Sequence, residues 1–175
     1  MEIPFSPERR AQGRSSFQKL ADEAGLEYGD RGHWYDGQPA HEANLWAEAQ
    51  GHGDDFKRAV FRAYFIHDLN IGSADLLAEL AMGLGLDSDD LRRALSEGQY
   101  RGAITAQYTE ARKLGVTAVP TFVAEGYALV GAHPIENLRK LLDHAGAQRK
   151  EGQPDGSERR FTSGNLLGPE LRRQD

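Results

Sequence analysis

Along most of this chain, apolar side chains return at helical spacing in short runs that a capping residue opens and a glycine closes. Phe17, Leu20, Ala21 and Ala24 form the first such run, with Ser15 or Ser16 as its expected cap and Gly25 as its stop. Gly25, Gly29, Gly32 and Gly37 mark a connector over 25–38. Pro39 then suits the first turn of a helix that reaches Gln50 and stops at Gly51. Asp54 or Asp55 favours a third start, with Phe56, Val60, Phe61, Tyr64 and Phe65 expected on its buried face. Ser73 caps a fourth helix carrying Leu76, Leu77, Leu80, Ala81 and Leu84, and Ser88 a fifth carrying Leu91, Ala94 and Leu95. A sixth runs from about Tyr100 to Leu114, where Gly115 ends it. By itself, 39–114 reads as a small helical bundle.

After Gly115 the period changes. Thr121-Phe122-Val123-Ala124 and Tyr127-Ala128-Leu129-Val130 are short, apolar and strand-like, and Glu125-Gly126 between them is a hairpin turn signal. Pro134 opens a last helix with Ile135, Leu138, Leu141 and Leu142 on one face. From Gln148 onward the sequence is polar, charged and rich in Gly and Pro, as expected of a mobile tail. The expected divisions are an extended lead-in at 1–14, a helical region at 15–114, a strand-containing segment at 115–146 and a tail at 147–175.

Composition narrows the chemistry. The chain has 175 residues, a formal net charge of −6 and no cysteine. The charge argues against nucleic acid as the main partner. The absence of cysteine removes disulfides, zinc–thiolate sites and thiolate catalysis from this sequence. Residues 1–7 lack the basic-then-apolar order of a secretory leader, and no apolar run is long enough to cross a bilayer, so the default expectation is cytoplasmic. The six histidines form no His-Glu-x-x-His pattern and no i, i+4 pair, so no metal is expected. Ser15, Ser16 and Ser73 are explained as caps, and no Gly-x-Ser-x-Gly elbow is present. Gly83-Leu84-Gly85 lacks the preceding strand of a dinucleotide site. Asp87, Asp89 and Asp90 favour a helix start over a calcium loop. Trp34, Tyr35, Trp46 and Tyr64 are most simply packing residues.

The informative run is Gly115-Val116-Thr117-Ala118-Val119-Pro120-Thr121-Phe122. A proline before an apolar strand belongs at the strand start or at a sheet edge, because it donates no ladder hydrogen bond. X–Pro bonds are also where cis peptides occur. A cis bond here would leave neighbouring main-chain groups free to pair with an extended ligand. A trans proline that merely begins a strand has the base rate on its side, since only about 5–6% of X–Pro bonds in folded proteins are cis.

That run, the hairpin, Val130-Gly131-Ala132-His133-Pro134 and the closing helix together resemble the carboxy-terminal half of DsbA-family thioredoxin domains. The resemblance is to the branch of polyketide-type oxidoreductases and 2-hydroxychromene-2-carboxylate isomerase-like proteins. Leu45-Trp46-Ala47-Glu48-Ala49-Gln50-Gly51, Val60-Phe61-Arg62-Ala63-Tyr64-Phe65 and Asn70-Ile71-Gly72 resemble its helical insertion, so the likeness spans roughly 15–146. It implies an α/β, thioredoxin-like fold with a helical insertion and a cis proline at Pro120 beside a dithiol. The chain departs from the family at two points. The opening strand, Cys-x-x-Cys helix and second strand are absent, and His133 stands where many relatives have glutamine. With that βαβ unit absent, the expectation is a mostly helical chain with one hairpin whose edge and apolar face are open. Either the natural protein starts upstream of Met1, or the chain pairs with something else.

Three functions follow from the resemblance. The first is a DsbA-type thiol–disulfide oxidoreductase, inactive in redox chemistry as this cysteine-free chain. There Ala118, Val119 and Pro120 would bind an extended peptide or thiol substrate, with no catalytic residue and no cofactor of its own. The second is a glutathione-dependent isomerase or transferase of the 2-hydroxychromene-2-carboxylate isomerase or kappa-class type, binding the tripeptide at the same loop. The third is a non-catalytic binding module whose open sheet edge pairs with a missing segment or a second chain.

Overall fold

Ser6 is the first described residue. Its Oγ accepts the Arg9 amide at 3.4 Å and Pro7 follows at the first helical turn, so α1 runs Pro7–Ala24 and closes at Gly25. The computed structural model of the chain describes residues 6–148. The extended lead-in expected over 1–14 is therefore corrected from Pro7 onward, while residues 1–5 lie outside the described residues. The Ser6-Pro7 pair starts the helix about two and a half turns ahead of Ser15 and Ser16. Ser16 instead bonds back to the Gln12 carbonyl at 3.0 Å, as a serine inside a helix does. The expected tail lies, from residue 149, outside the described residues.

The described chain divides into two compact units, the first ending at Ile104 and the second beginning at Thr105. In the first, α2 (Gln38–Ala49), α3 (Gly53–Phe65), α4 (Ala74–Gly83) and α5 (Ser88–Glu97) enclose one core. Trp46, Phe56, Leu77, Leu80 and Leu91 fill it, and Ala43, Ala47, Ala59, Ala63, Ala81 and Ala94 let the helix axes approach. Each fully buried Leu or Phe stabilises the unit by about 1.5–3 kcal/mol. Ser73 caps α4 through the Leu76 amide. The α5 cap is Asp87, one residue before the expected Ser88, and its carboxylate accepts the Asp89 and Asp90 amides at 3.0 Å. Trp46 Nε1 donates to Asp90 at 2.7 Å and so ties α2 to α5.

The expected buried face of α3 needs correction. Phe56 and Val60 are buried, but the stripe continues through Ala59 and Ala63, while Phe61 is 54% exposed and Tyr64 and Phe65 are half-buried. Positions 56, 59, 60 and 63 share one face at helical spacing, and Phe61 falls off it despite its size.

The 25–37 connector folds back along the end of α3. The Gly29 amide donates to the Phe65 carbonyl at 2.9 Å, and a Cβ at Gly29 would stand 2.0 Å from the Ile66 carbonyl oxygen. Only a residue without a side chain fits this crossing.

Helix α6 (Arg101–Lys113) starts in the first unit, with Ile104 buried there, and runs into the second. The second unit contains β1 (Thr121–Ala124), β2 (Tyr127–Val130) and α7 (Ile135–His144). The strands pair antiparallel, with Thr121 opposite Val130 and Ala124 opposite Tyr127. Glu125 and Gly126 join them, both at positive φ (45° and 81°), as a two-residue turn that matches strand twist requires. Among the described residues this hairpin is the whole sheet. Helix α7 packs against it, with Tyr127 edge-on to His144 at 6.0 Å. No described residue of this unit is buried: Leu129, Leu138 and Leu141 are half-covered, and Phe122, Val123, Tyr127, Val130, Ile135 and Leu142 are exposed. Two strands and one helix are too little to enclose a core.

Candidate functional site

Helix α6 ends at Lys113, and Leu114-Gly115 turn the chain toward β1. Residues 117–120 then form an exposed loop without helical or strand pairing of its own. Val119 is 89% exposed, which is unusual for a valine beside an apolar strand. The Val119–Pro120 peptide is cis. Two hydrogen bonds fix the loop: Thr121 Oγ1 donates to the Ala118 carbonyl at 2.6 Å, and the Gly131 amide donates to the Pro120 carbonyl at 2.8 Å. Ala118, Val119 and Pro120 are thus brought together on one exposed edge, held at both ends.

The Gly131–Pro120 bond also sets the phase of the ladder. In an antiparallel pair, hydrogen-bonded and non-hydrogen-bonded residue pairs alternate. With Pro120 and Gly131 bonded, Phe122/Leu129 and Ala124/Tyr127 are the bonded pairs of the hairpin. Thr121 and Val123 therefore direct their amides and carbonyls away from β2, toward the outer edge of β1. Among the described residues no third strand lies on that edge. The loop residue Val119 and the outward groups of Thr121 and Val123 form one continuous open edge, the geometry to which an extended peptide adds.

A second polar cluster sits in the first unit, where the connector meets the end of α3. Asp68, at φ 53°, takes the left-handed conformation that Asp tolerates better than most residues. Its carboxylate accepts the Gly32 amide at 3.0 Å, the His33 amide at 3.4 Å and His33 Nδ1 at 2.7 Å, while Tyr35 Oη donates to its carbonyl at 3.1 Å. Burial pushes this carboxyl up, but the bonds from Gly32 and His33 outweigh it, and the Asp68 pKa lies below the ordinary value. Arg31 stacks on Tyr64, 3.8 Å from the ring centre, and donates to its hydroxyl at 2.8 Å. Tyr64 and Tyr35 are both raised above the usual phenol value. Burial is the main cause in each, and the Asp68 charge adds to both. Among the described residues no nucleophile or unpaired acid joins this cluster, and its evident work is to fasten the connector. It was not foreseen from sequence, because Asp68 and His33 are far apart in the chain and neither belongs to a spaced motif.

Trp46 is core, as the packing expectation has it, whereas Trp34 is exposed. Among the described residues no group of His, Asp and Glu is arranged to hold a metal. No described helix is long and apolar enough to cross a membrane.

A proline-led hairpin edge, a closing helix and a preceding helical bundle define a thioredoxin-type domain carrying a helical insertion. The family model of the DSBA-like thioredoxin domain matches residues 6–143, and the chain belongs to that family. It is 32% identical to the uncharacterized protein YwbO of Bacillus subtilis (strain 168) over 143 residues, which is 78% of this chain and 70% of YwbO. Among solved structures it resembles SCO1869 of Streptomyces coelicolor, a probable DsbA oxidoreductase, with a TM-score of 0.68 and 28% identity over 86% of this chain and 67% of that one. It also shares its fold with a candidate protein disulfide isomerase of Nitrosomonas europaea, with a TM-score of 0.66 and 22% identity over 82% of this chain and 76% of that one.

Proposed function

We propose that this chain acts as the client-holding part of a DsbA-type thiol–disulfide system. An extended segment of the client lies along Val119 and the outer edge of β1. Its main chain pairs with the outward groups of Thr121 and Val123, and Ala118 and Pro120 shape the loop. The exchange step is attack of a thiolate on a disulfide sulfur, with a mixed disulfide formed and a thiolate released. This sequence has no cysteine, so neither sulfur belongs to it. The observation that carries the reading is the open edge continuous with an 89% exposed Val119. The lack of any buried residue in the described second unit supports a partner lying against it.

Calorimetric titration tests the proposal with a short extended peptide, the same peptide N-methylated on alternate amides, and glutathione. Binding of the first and loss of binding with the second are expected, because pairing runs through main-chain groups. Saturable binding of glutathione without binding of the peptide would replace this reading by the glutathione-dependent isomerase. In an insulin-reduction assay with dithiothreitol the chain alone is expected to leave the background rate unchanged; acceleration would contradict the non-redox role.

A further inference from the structure

The hairpin has two outer edges, and the structure treats them differently. By the ladder phase, Ala128 and Val130 direct their main-chain groups toward the outer edge of β2, as Thr121 and Val123 do on β1. On β2 the Val130 carbonyl is already taken: His133 Nε2 donates to it at 2.9 Å. The imidazole reaches it because the chain reverses at Gly131, whose φ of 99° is closed to most side chains. The ring is held from its other side, since Asn137 Nδ2 on the first turn of α7 lies 3.4 Å from His133 Nδ1. One neutral tautomer satisfies both contacts: Nε2 donates to Val130, and Nδ1 accepts from Asn137.

We propose that His133 is an edge guard. It occupies the hydrogen-bonding position that an added strand would need at Val130, so strand addition is closed on β2 and left open on β1. An apolar, exposed two-stranded hairpin is an invitation to edge-to-edge pairing. Placing a side chain across one edge removes the pairing of β2 with β2 of a second copy. It also directs an extended partner to the edge that carries Val119 and Pro120. The second consequence rests on the client-holding reading; the first does not. Asn137 is a positioning residue, acting only by setting the ring.

The test compares the wild-type chain with His133→Ala, His133→Gln and Asn137→Ala by sedimentation equilibrium without any peptide, with backbone amide exchange on the same samples. The glutamine amide is a donor long enough to reach the Val130 carbonyl. His133→Ala is expected to self-associate about tenfold more strongly than wild type, roughly the net worth of one hydrogen bond. New protection should appear at Ala128 and Val130. His133→Gln is expected to behave as wild type, and Asn137→Ala to fall between. Equal self-association of all four, with unchanged exchange at Ala128 and Val130, would overturn the proposal. So would association of His133→Ala through Thr121 and Val123. Nitrogen-15 spectra of the wild type give a check free of folding effects: the Nε2–H tautomer is expected at His133, and the Nδ1–H tautomer would refute the guard. Failure of peptide binding in the wild type would count against the client-holding reading and leave these outcomes unaffected.

Discussion

Replacing Asp68 should loosen the first unit in a graded way. The carboxylate is only 13% exposed and collects three donors from the connector. The Gly32 bond, at 3.0 Å to a charged and mostly buried acceptor, contributes about 1.5–2 kcal/mol. The His33 amide is longer at 3.4 Å and its ring is 68% exposed, so those two bonds together add about 1 kcal/mol. Asp68→Ala loses all of this and places alanine at a φ of 53°, which costs about 1 kcal/mol more. The expected loss is about 4 kcal/mol, a large part of the 5–15 kcal/mol typical of a domain. Asp68→Asn tolerates the backbone and keeps one acceptor where Gly32 and the His33 ring converge, but turns a donor toward the His33 amide. About half the loss is expected. Urea unfolding followed by tryptophan fluorescence reads the change, since Trp46 is buried in the same unit, and amide exchange at Gly32 reads connector release. An alanine variant within about 1 kcal/mol of wild type, or an asparagine variant as poor as alanine, would show that the Asp68 carboxylate does not fasten the connector.

Further outcomes follow from the same structure. Because the Asp68 carboxyl titrates below its ordinary value, its stabilisation is complete above that value and is lost as the pH falls through it, below about pH 4; the acid-unfolding midpoint should move up in Asp68→Asn. Tyr35 and Tyr64 are raised, so their contribution is full below about pH 10 and is lost at higher pH; ultraviolet titration should show a late-ionising component from Tyr35 and Tyr64 that shrinks in Tyr64→Phe. Gly29→Ala drives a methyl into the Ile66 carbonyl and should cost about 2–3 kcal/mol in urea unfolding, whereas Gly13→Ala, with open space around it, should not destabilise. Phe56→Ala empties the centre of the first core and should cost about 3–5 kcal/mol.

Much of this fold is legible in the sequence because its signals are local. Proline at Pro39 and Pro134, glycine at Gly25 and Gly115, and the short apolar runs on either side of Glu125-Gly126 punctuate the chain where the elements begin and end. The start of α1 is hard to read locally because two serines inside a helix look like caps, while Ser6-Pro7 is an equally good start hidden among turn formers. Phe61 departs from its expected burial because the angle around the helix, not side-chain size, decides it. Ala118, Val119 and Pro120 could be picked out because a proline before an apolar strand constrains the backbone. The Asp68 cluster and the His133 contact could not, since each depends on chain reversals that bring together residues without a shared motif.

On the proposed function, an extended client pairs with the outer edge of β1 beside Val119. Residue-resolved amide exchange of the chain, with and without a saturating extended peptide, tests it most directly. New protection is expected at Thr121 and Val123, with Ala128 and Val130 unchanged. Protection confined to the helices of the first unit, or appearing on β2 and not on β1, would contradict it.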